Sequence, residues 1–199
     1  MARLAIFIDG GYIQKISEKE FGVWINFQKF PTAILTEIAQ KTPEPLDLLR
    51  TYFYDCLPYQ SNPPSEEEKK RFAARRRFFE FLRREPRFEV REGRLAFRGQ
   101  RADGSPIFQQ KGVDLQLGLD FALLSGKRQI THAAIVAGDS DLVPAFEVAT
   151  QEGISVWLFH GPRRSAADGS PTYSTELWDA ADERFEMDKK FIKDCERKR

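Results

Sequence analysis

Along the chain, short continuous apolar runs alternate with segments whose apolar residues recur every three or four positions. Residues 4–8, LAIFI, form an uninterrupted apolar run that ends in Asp-Gly-Gly. Such a run predicts a central parallel strand, buried on both faces. Helix-like spacing follows at 11–20 and 28–40, with Pro31 near the start of the second segment. Residues 46–54 read as a second strand ending near Asp55. Pro58, Pro63 and Pro64 break the chain, and Ser65 with three glutamates opens a long helix to about residue 84. Apolar and charged residues alternate at 88–91 and 94–98 around Glu92-Gly93, which predicts a hairpin, with a further turn at 102–106. Residues 112–125 read as helix, 133–137 as a fully apolar strand, 141–151 as helix and 154–159, ISVWLF, as a third strong strand. A loop rich in Gly, Pro, Ser and Arg spans 161–174, and a short helix lies near 174–182. The tail from 189 is charged and expected to fray. Strands alternating with helices predict an α/β sandwich with a central, mainly parallel sheet. No linker divides the chain, so a single domain is expected over 1–185, with 186–199 as a charged tail.

Composition narrows the class. With 199 residues, 41% hydrophobic and 31% charged, the chain suits one globular domain with a substantial core, and its 17 phenylalanines predict an aromatic one. The formal net charge of +1 advertises no nucleic-acid partner, so only local clusters of charge can do so. Cys56 and Cys195 fit no zinc spacing and read as free thiols of a reducing compartment. The first apolar run is too short for a signal-peptide core, and no stretch reaches the ~18 apolar residues of a membrane span. A cytoplasmic protein without a membrane partner is expected.

Open α/β sheets bind ligands beyond the carboxyl ends of their strands. Asp9 closes the first strand, Asp139 follows the 133–137 strand, Asp141 comes two residues later, and Asp114 opens a helix. If the strands before Asp9 and Asp139 are neighbours, these acids converge on one edge. An aspartate at a helix start is commonly an N-cap, and Asp-Gly is common in turns. Asp9, at the end of a buried strand, is harder to explain in that way. Clustered carboxylates repel one another, and a divalent cation relieves the conflict. Hard oxygen donors select Mg²⁺ or Mn²⁺ over zinc, and His132 and His160 are too sparse for a zinc centre.

IFIDGGY at 6–12, QKGVDLQLGLD at 110–120 and AIVAGDSDLVPAFEVATQEGISVWLF at 134–159 together resemble the NYN domain family, which includes the LabA-like proteins. YFYDCLP at 52–58 also resembles the family's second strand. The resemblance implies a PIN-like, Rossmann-like three-layer fold and cleavage of RNA by metal-activated water. It implies that Asp9, Asp114, Asp139 and Asp141 bind Mg²⁺ or Mn²⁺, that Ser140 bonds a phosphate or orients a carboxylate, and that Lys111 contacts a phosphate. Asp120 also matches a family acid, but it lies about 600° around the helix from Asp114 and faces elsewhere. Asp55 is a candidate for the rim. Tyr12 stands where the family often has Asn; it would either stack a base or pack at a helix start.

Lys and Arg crowd residues 69–101, Arg75 and Arg76 among them, interleaved with Phe72, Phe78, Phe79 and Phe81. This is either a solvated helix face or a phosphate-binding surface, with Arg163 and Arg164 on the same edge. The leading expectation is a ribonuclease acting on RNA, with a homodimer possible. The alternative is a nucleic-acid-binding or regulatory module without turnover. A haloacid-dehalogenase-type phosphatase, suggested by GDSD, lacks its second acid, because Gly10 and Gly11 follow Asp9.

Overall fold

The computed structural model describes residues 1–101 and 106–197, apart from the side chains of Pro106, Gln109 and Gln110. Seven strands form one sheet in the order β4-β3-β2-β1-β5-β6-β7. They are β1 (Ala2–Asp9), β2 (Leu46–Cys56), β3 (Phe88–Gln100), β4 (Pro106–Lys111), β5 (His132–Val136), β6 (Ser155–His160) and β7 (Glu183–Glu186). All neighbours pair in parallel except β3 and β4.

Alternation along β1 builds the three layers. Leu4, Ile6 and Ile8 face one core, shared with α1 (Gly10–Gln14), α2 (Phe30–Lys41), α3 (Glu66–Arg84) and α7 (Lys189–Asp194). Ala5 and Phe7 face the other, shared with α4 (Val113–Gly126), α5 (Val143–Gln151) and α6 (Thr175–Ala180). The first core is aromatic, as the composition predicts: Phe27 stacks edge-on against Phe53 at 5.2 Å and tilts against Phe78 at 5.5 Å. The helix expected from Ser65 forms with a full capping box, Ser65 and Glu68 each bonding the other's backbone N–H.

The chain runs outward from β1 through β2 and β3, then returns across the sheet to β5. The order therefore reverses between β1 and β5, which pair directly, Ile8 beside Val136. Ligands of open α/β sheets bind at this crevice, and both Asp9 and Asp139 stand at it.

Two expectations are corrected and a third falls outside the described residues. The chain does not turn at Glu92-Gly93: β3 runs straight through, parallel to β2 as far as Gly93 and antiparallel to β4 from Arg94. Gly93 is needed for space, because a Cβ there would stand 2.6 Å from Val113 and 2.9 Å from Cys56. The turn expected at 102–106 lies outside the described residues, save for Pro106, which opens β4. The segment 186–199 is no loose tail as far as Arg197: Met187, Phe191, Ile192 and Cys195 are buried, and Arg197 N–H donates to the Trp24 carbonyl at 2.8 Å. Apolar residues at Phe191 and Ile192, set among lysines, give this short helix a buried side that charge density concealed.

Candidate metal centre and adjoining grooves

Each acid is placed by a local backbone device. Asp9 ends β1 and caps α1, its Oδ1 accepting the Tyr12 N–H at 3.0 Å. Asp139 caps a single 3₁₀ turn, Ser140–Leu142, its Oδ1 accepting the Asp141 N–H at 3.0 Å. Asp114 lies in the first turn of α4. The capping role raised for aspartates at helix starts is therefore real for Asp9 and Asp139. In each case the bond to the cap is made by Oδ1.

Electrostatics tie the four acids together. Burial pushes the Asp9 carboxyl up to about 7 against the pull of the Tyr12 N–H, and the Asp114 and Asp55 charges add to the rise. Asp114 is also raised, by burial first and then by Asp139 and Asp141. The outside charges acting on Asp114 thus have one sign. Among the described residues, no three carboxylate, imidazole or thiol groups stand at separations that would hold a metal ion. The acids share an edge and a field without forming a closed ligand cluster. Their chemistry still fits a hard divalent cation: oxygen donors of like charge whose repulsion such an ion would cancel.

Glycine makes this edge possible. A Cβ on Gly10 would stand 2.6 Å from the Phe53 ring and 2.7 Å from Asp55 Oδ2; one on Gly138 would stand 2.5 Å from the Tyr12 ring and 2.6 Å from the Thr172 carbonyl. The Asp-Gly and Gly-Asp pairs that read as turn signals are places of close approach.

Two depressions meet at Gly11. An acidic groove of about 470 Å³ is lined by Asp9, Lys15, Asp139, Ser140 and Tyr173 among others. Lys15 and Tyr173 were missed by sequence reasoning. Lys15 follows α1 in a turn of π-helix, Lys15–Glu20. Tyr173 lies in the 161–174 loop, which the Ser174 N–H anchors to the Gly138 carbonyl at 2.9 Å, a contact with no signal in the sequence. On the other side lies a larger cavity of about 770 Å³ between α1 and α3.

The other expected residues divide sharply. Ser140 is exposed beside Asp139, and Lys111 is exposed just ahead of Asp114. Tyr12 lines the acidic groove but is only 8% exposed: its ring belongs to the core and its hydroxyl accepts the Gly161 N–H at 2.9 Å, which is the packing role. Asp55 is no rim acid either: it is buried in an ion pair with Arg75, whose guanidinium also lies over the Phe78 and Phe79 rings. Arg76 is exposed and pairs with Glu80 at 3.5 Å. Arg163 and Arg164 are exposed but do not line the acidic groove, and Arg164 is bonded to the Gly169 carbonyl at 2.9 Å. Asp120 faces away, as its helical phase predicts, and accepts Tyr54 and Arg91, each at 3.0 Å.

Residues 3–188 match the family model of the NYN domain. No curated protein matches the chain.

Proposed function

The chain belongs to the NYN domain family, and its seven-stranded sheet is the PIN-like α/β architecture of that family; on this premise we propose that it is a Mg²⁺- or Mn²⁺-dependent ribonuclease. The observation that supports the reading is that Asp9 and Asp139 line one groove at the reversal of strand order, and that Asp114 feels the charge of Asp139 and Asp141 and adds its own to Asp9. Capping accounts for Asp9 and Asp139 one at a time, but not for the like charges that act on Asp114.

Asp9, Asp114, Asp139 and Asp141 would hold the ion. Bound there, it would supply water activation and charge stabilisation at a phosphodiester. The chain's own contributions are positional. The Tyr12 N–H fixes the rotamer of Asp9, and the Asp141 N–H fixes that of Asp139. Lys15, in the groove with both acids, offers a cation to a phosphate oxygen, and the Ser140 hydroxyl offers a hydrogen bond. Lys111 serves a flanking phosphate.

A binding or regulatory module without turnover is the second reading. It is favoured by the lack, among the described residues, of a ready three-ligand cluster. Nucleic acid is the substrate or partner in both readings. Two buried free thiols support a reducing, cytoplasmic setting, and no described helix is long and apolar enough to cross a membrane. The exposed Leu115, Leu119 and Leu123 on α4 are the surface on which a homodimer would form.

The test is a cleavage assay on single-stranded and structured RNA and DNA, with Mg²⁺, Mn²⁺ or excess chelator, run beside Asp139→Asn. Cleavage of RNA that needs the ion and is lost in the variant is expected. Undiminished cleavage in chelator sinks the reading, and metal and RNA binding without cleavage moves it to the second.

A further inference from the structure

The 770 Å³ cavity on the far side of Gly11 has no part in holding an ion, yet its walls are specific in kind. Trp24 lines it with 65% of its surface exposed, an unusual state for a tryptophan outside a binding surface. This indole is not on a loose loop. The Trp24 carbonyl accepts the Arg197 N–H, Ile25 bridges to Glu196, and the Asn26 N–H donates to the Cys195 carbonyl at 2.8 Å. Phe27 and Phe78 supply further aromatic wall, and Arg71 and Arg197 stand exposed at its border. Glu18 comes from the π-helical turn, a distortion that recurs at functional sites, and it accepts the Gln14 amide at 3.2 Å.

This combination discriminates between ligands. Arg75 in the cavity wall is already paired with Asp55, which leaves the Glu18 carboxylate to repel a phosphate from the interior, whereas the bordering guanidiniums attract one outside. Planar apolar walls with a carboxylate acceptor suit a flat heterocycle bearing N–H groups. The volume lies within the ~300–1,000 Å³ of typical ligand sites. Gly11 lines both depressions, so a strand whose phosphate lies in the acidic groove has its neighbouring nucleotide beside this cavity.

We propose that the cavity between α1 and α3 takes up one unpaired nucleobase of a single-stranded nucleic acid, stacked on Trp24. The occupant's identity rests on the ribonuclease reading. The cavity makes the enzyme selective for strands with a base free to swing out, and Arg71 and Arg197 hold the phosphates on either side.

The experiment compares binding of the full chain, in chelator, to a single-stranded RNA decamer and to an abasic ribose-phosphate decamer of equal charge. Stacking of a base on an aromatic residue predicts at least about a tenfold preference for the base-bearing strand. Trp24→Leu is expected to reduce that preference below about threefold with an unchanged circular dichroism spectrum and Tm. Trp24→Phe, which keeps an aromatic face, is expected to retain most of it. Arg71→Ala is expected to weaken both strands alike. Equal binding of the two strands, no binding of either, or a preference untouched by Trp24→Leu overturns the proposal. The two readings fail separately. A base preference that depends on Trp24 in a protein that cleaves nothing leaves the cavity standing and removes the nuclease. Metal-dependent cleavage with no Trp24-dependent base preference does the reverse.

Discussion

Two charged regions of this protein are built from similar material and arranged in opposite ways. Around α3 and β3, many of the arginines meet carboxylates: Arg75 with Asp55, Arg76 with Glu80, Arg83 with Glu92, and Arg91 with Glu89 and Asp120. At the carboxyl edge of β1 and β5, aspartates meet aspartates. The first region stands out in the sequence as a long run of basic residues, and the fold neutralises part of it with its own carboxylates. The second is four scattered acids that the fold brings within reach of one another's charge. Density of charge along a chain is a weaker sign of function than charge that the fold brings together and leaves uncompensated.

That contrast can be broken most forcefully at the Arg75–Asp55 pair, the most buried ion pair among the described residues. Arg75→Ala leaves Asp55, only 2% exposed, without its partner, and a loss of about 3–5 kcal/mol is expected in urea denaturation. A loss under ~1 kcal/mol would show that the pair contributes no more than a surface contact. The acidic region predicts the reverse pattern. Asp139→Asn should lower metal-dependent cleavage at least about 100-fold, while the Tm holds or rises because a like charge has gone. A Tm that falls by many degrees would make Asp139 a structural residue.

Gly138→Ala separates packing from charge at the same edge. It adds no charge, but its Cβ would collide with Tyr12 and the Thr172 backbone, so about 1–3 kcal/mol of stability should be lost together with activity. Wild-type stability would place the close approach elsewhere. The smallest effect belongs to Arg76→Ala. Its pair with Glu80 joins side chains 66% and 49% exposed, and a change of only about 0.3–0.5 kcal/mol, shrinking with salt, is expected. A larger cost would show that the solvated face of α3 contributes more than a helix surface should.

Much of the scaffold was legible. Each strand whose two faces are both buried must be apolar throughout, so β1, β5 and β6 declared themselves as uninterrupted runs. The capping box at Ser65 is a local exchange of hydrogen bonds, readable wherever Ser and Glu stand three apart. Edge elements were not legible. β7 and α7 bury few residues each, and a charged majority hid Phe191 and Ile192. The straight passage of β3 through Gly93 was misread because a glycine that makes room looks in sequence like a glycine that makes a turn. Asp55 and Tyr12 show the same limit: a residue type announces what it can do, and only its neighbours say whether it is free to do it.

The sequence by itself determined the class of fold, the end of β1 at Asp9 and the family motifs, because periodicity, capping and strand termination are governed by residues close in the chain. The tertiary structure decided which charges meet. Pairing of β1 with β5 put Asp9 near Asp139, the return of α3 over β2 buried Arg75 against Asp55, and the residues after α7 fastened Trp24 at the mouth of a cavity. Coulomb energy and desolvation depend on distance in space and on surrounding solvent, and neither quantity is written in the order of the residues.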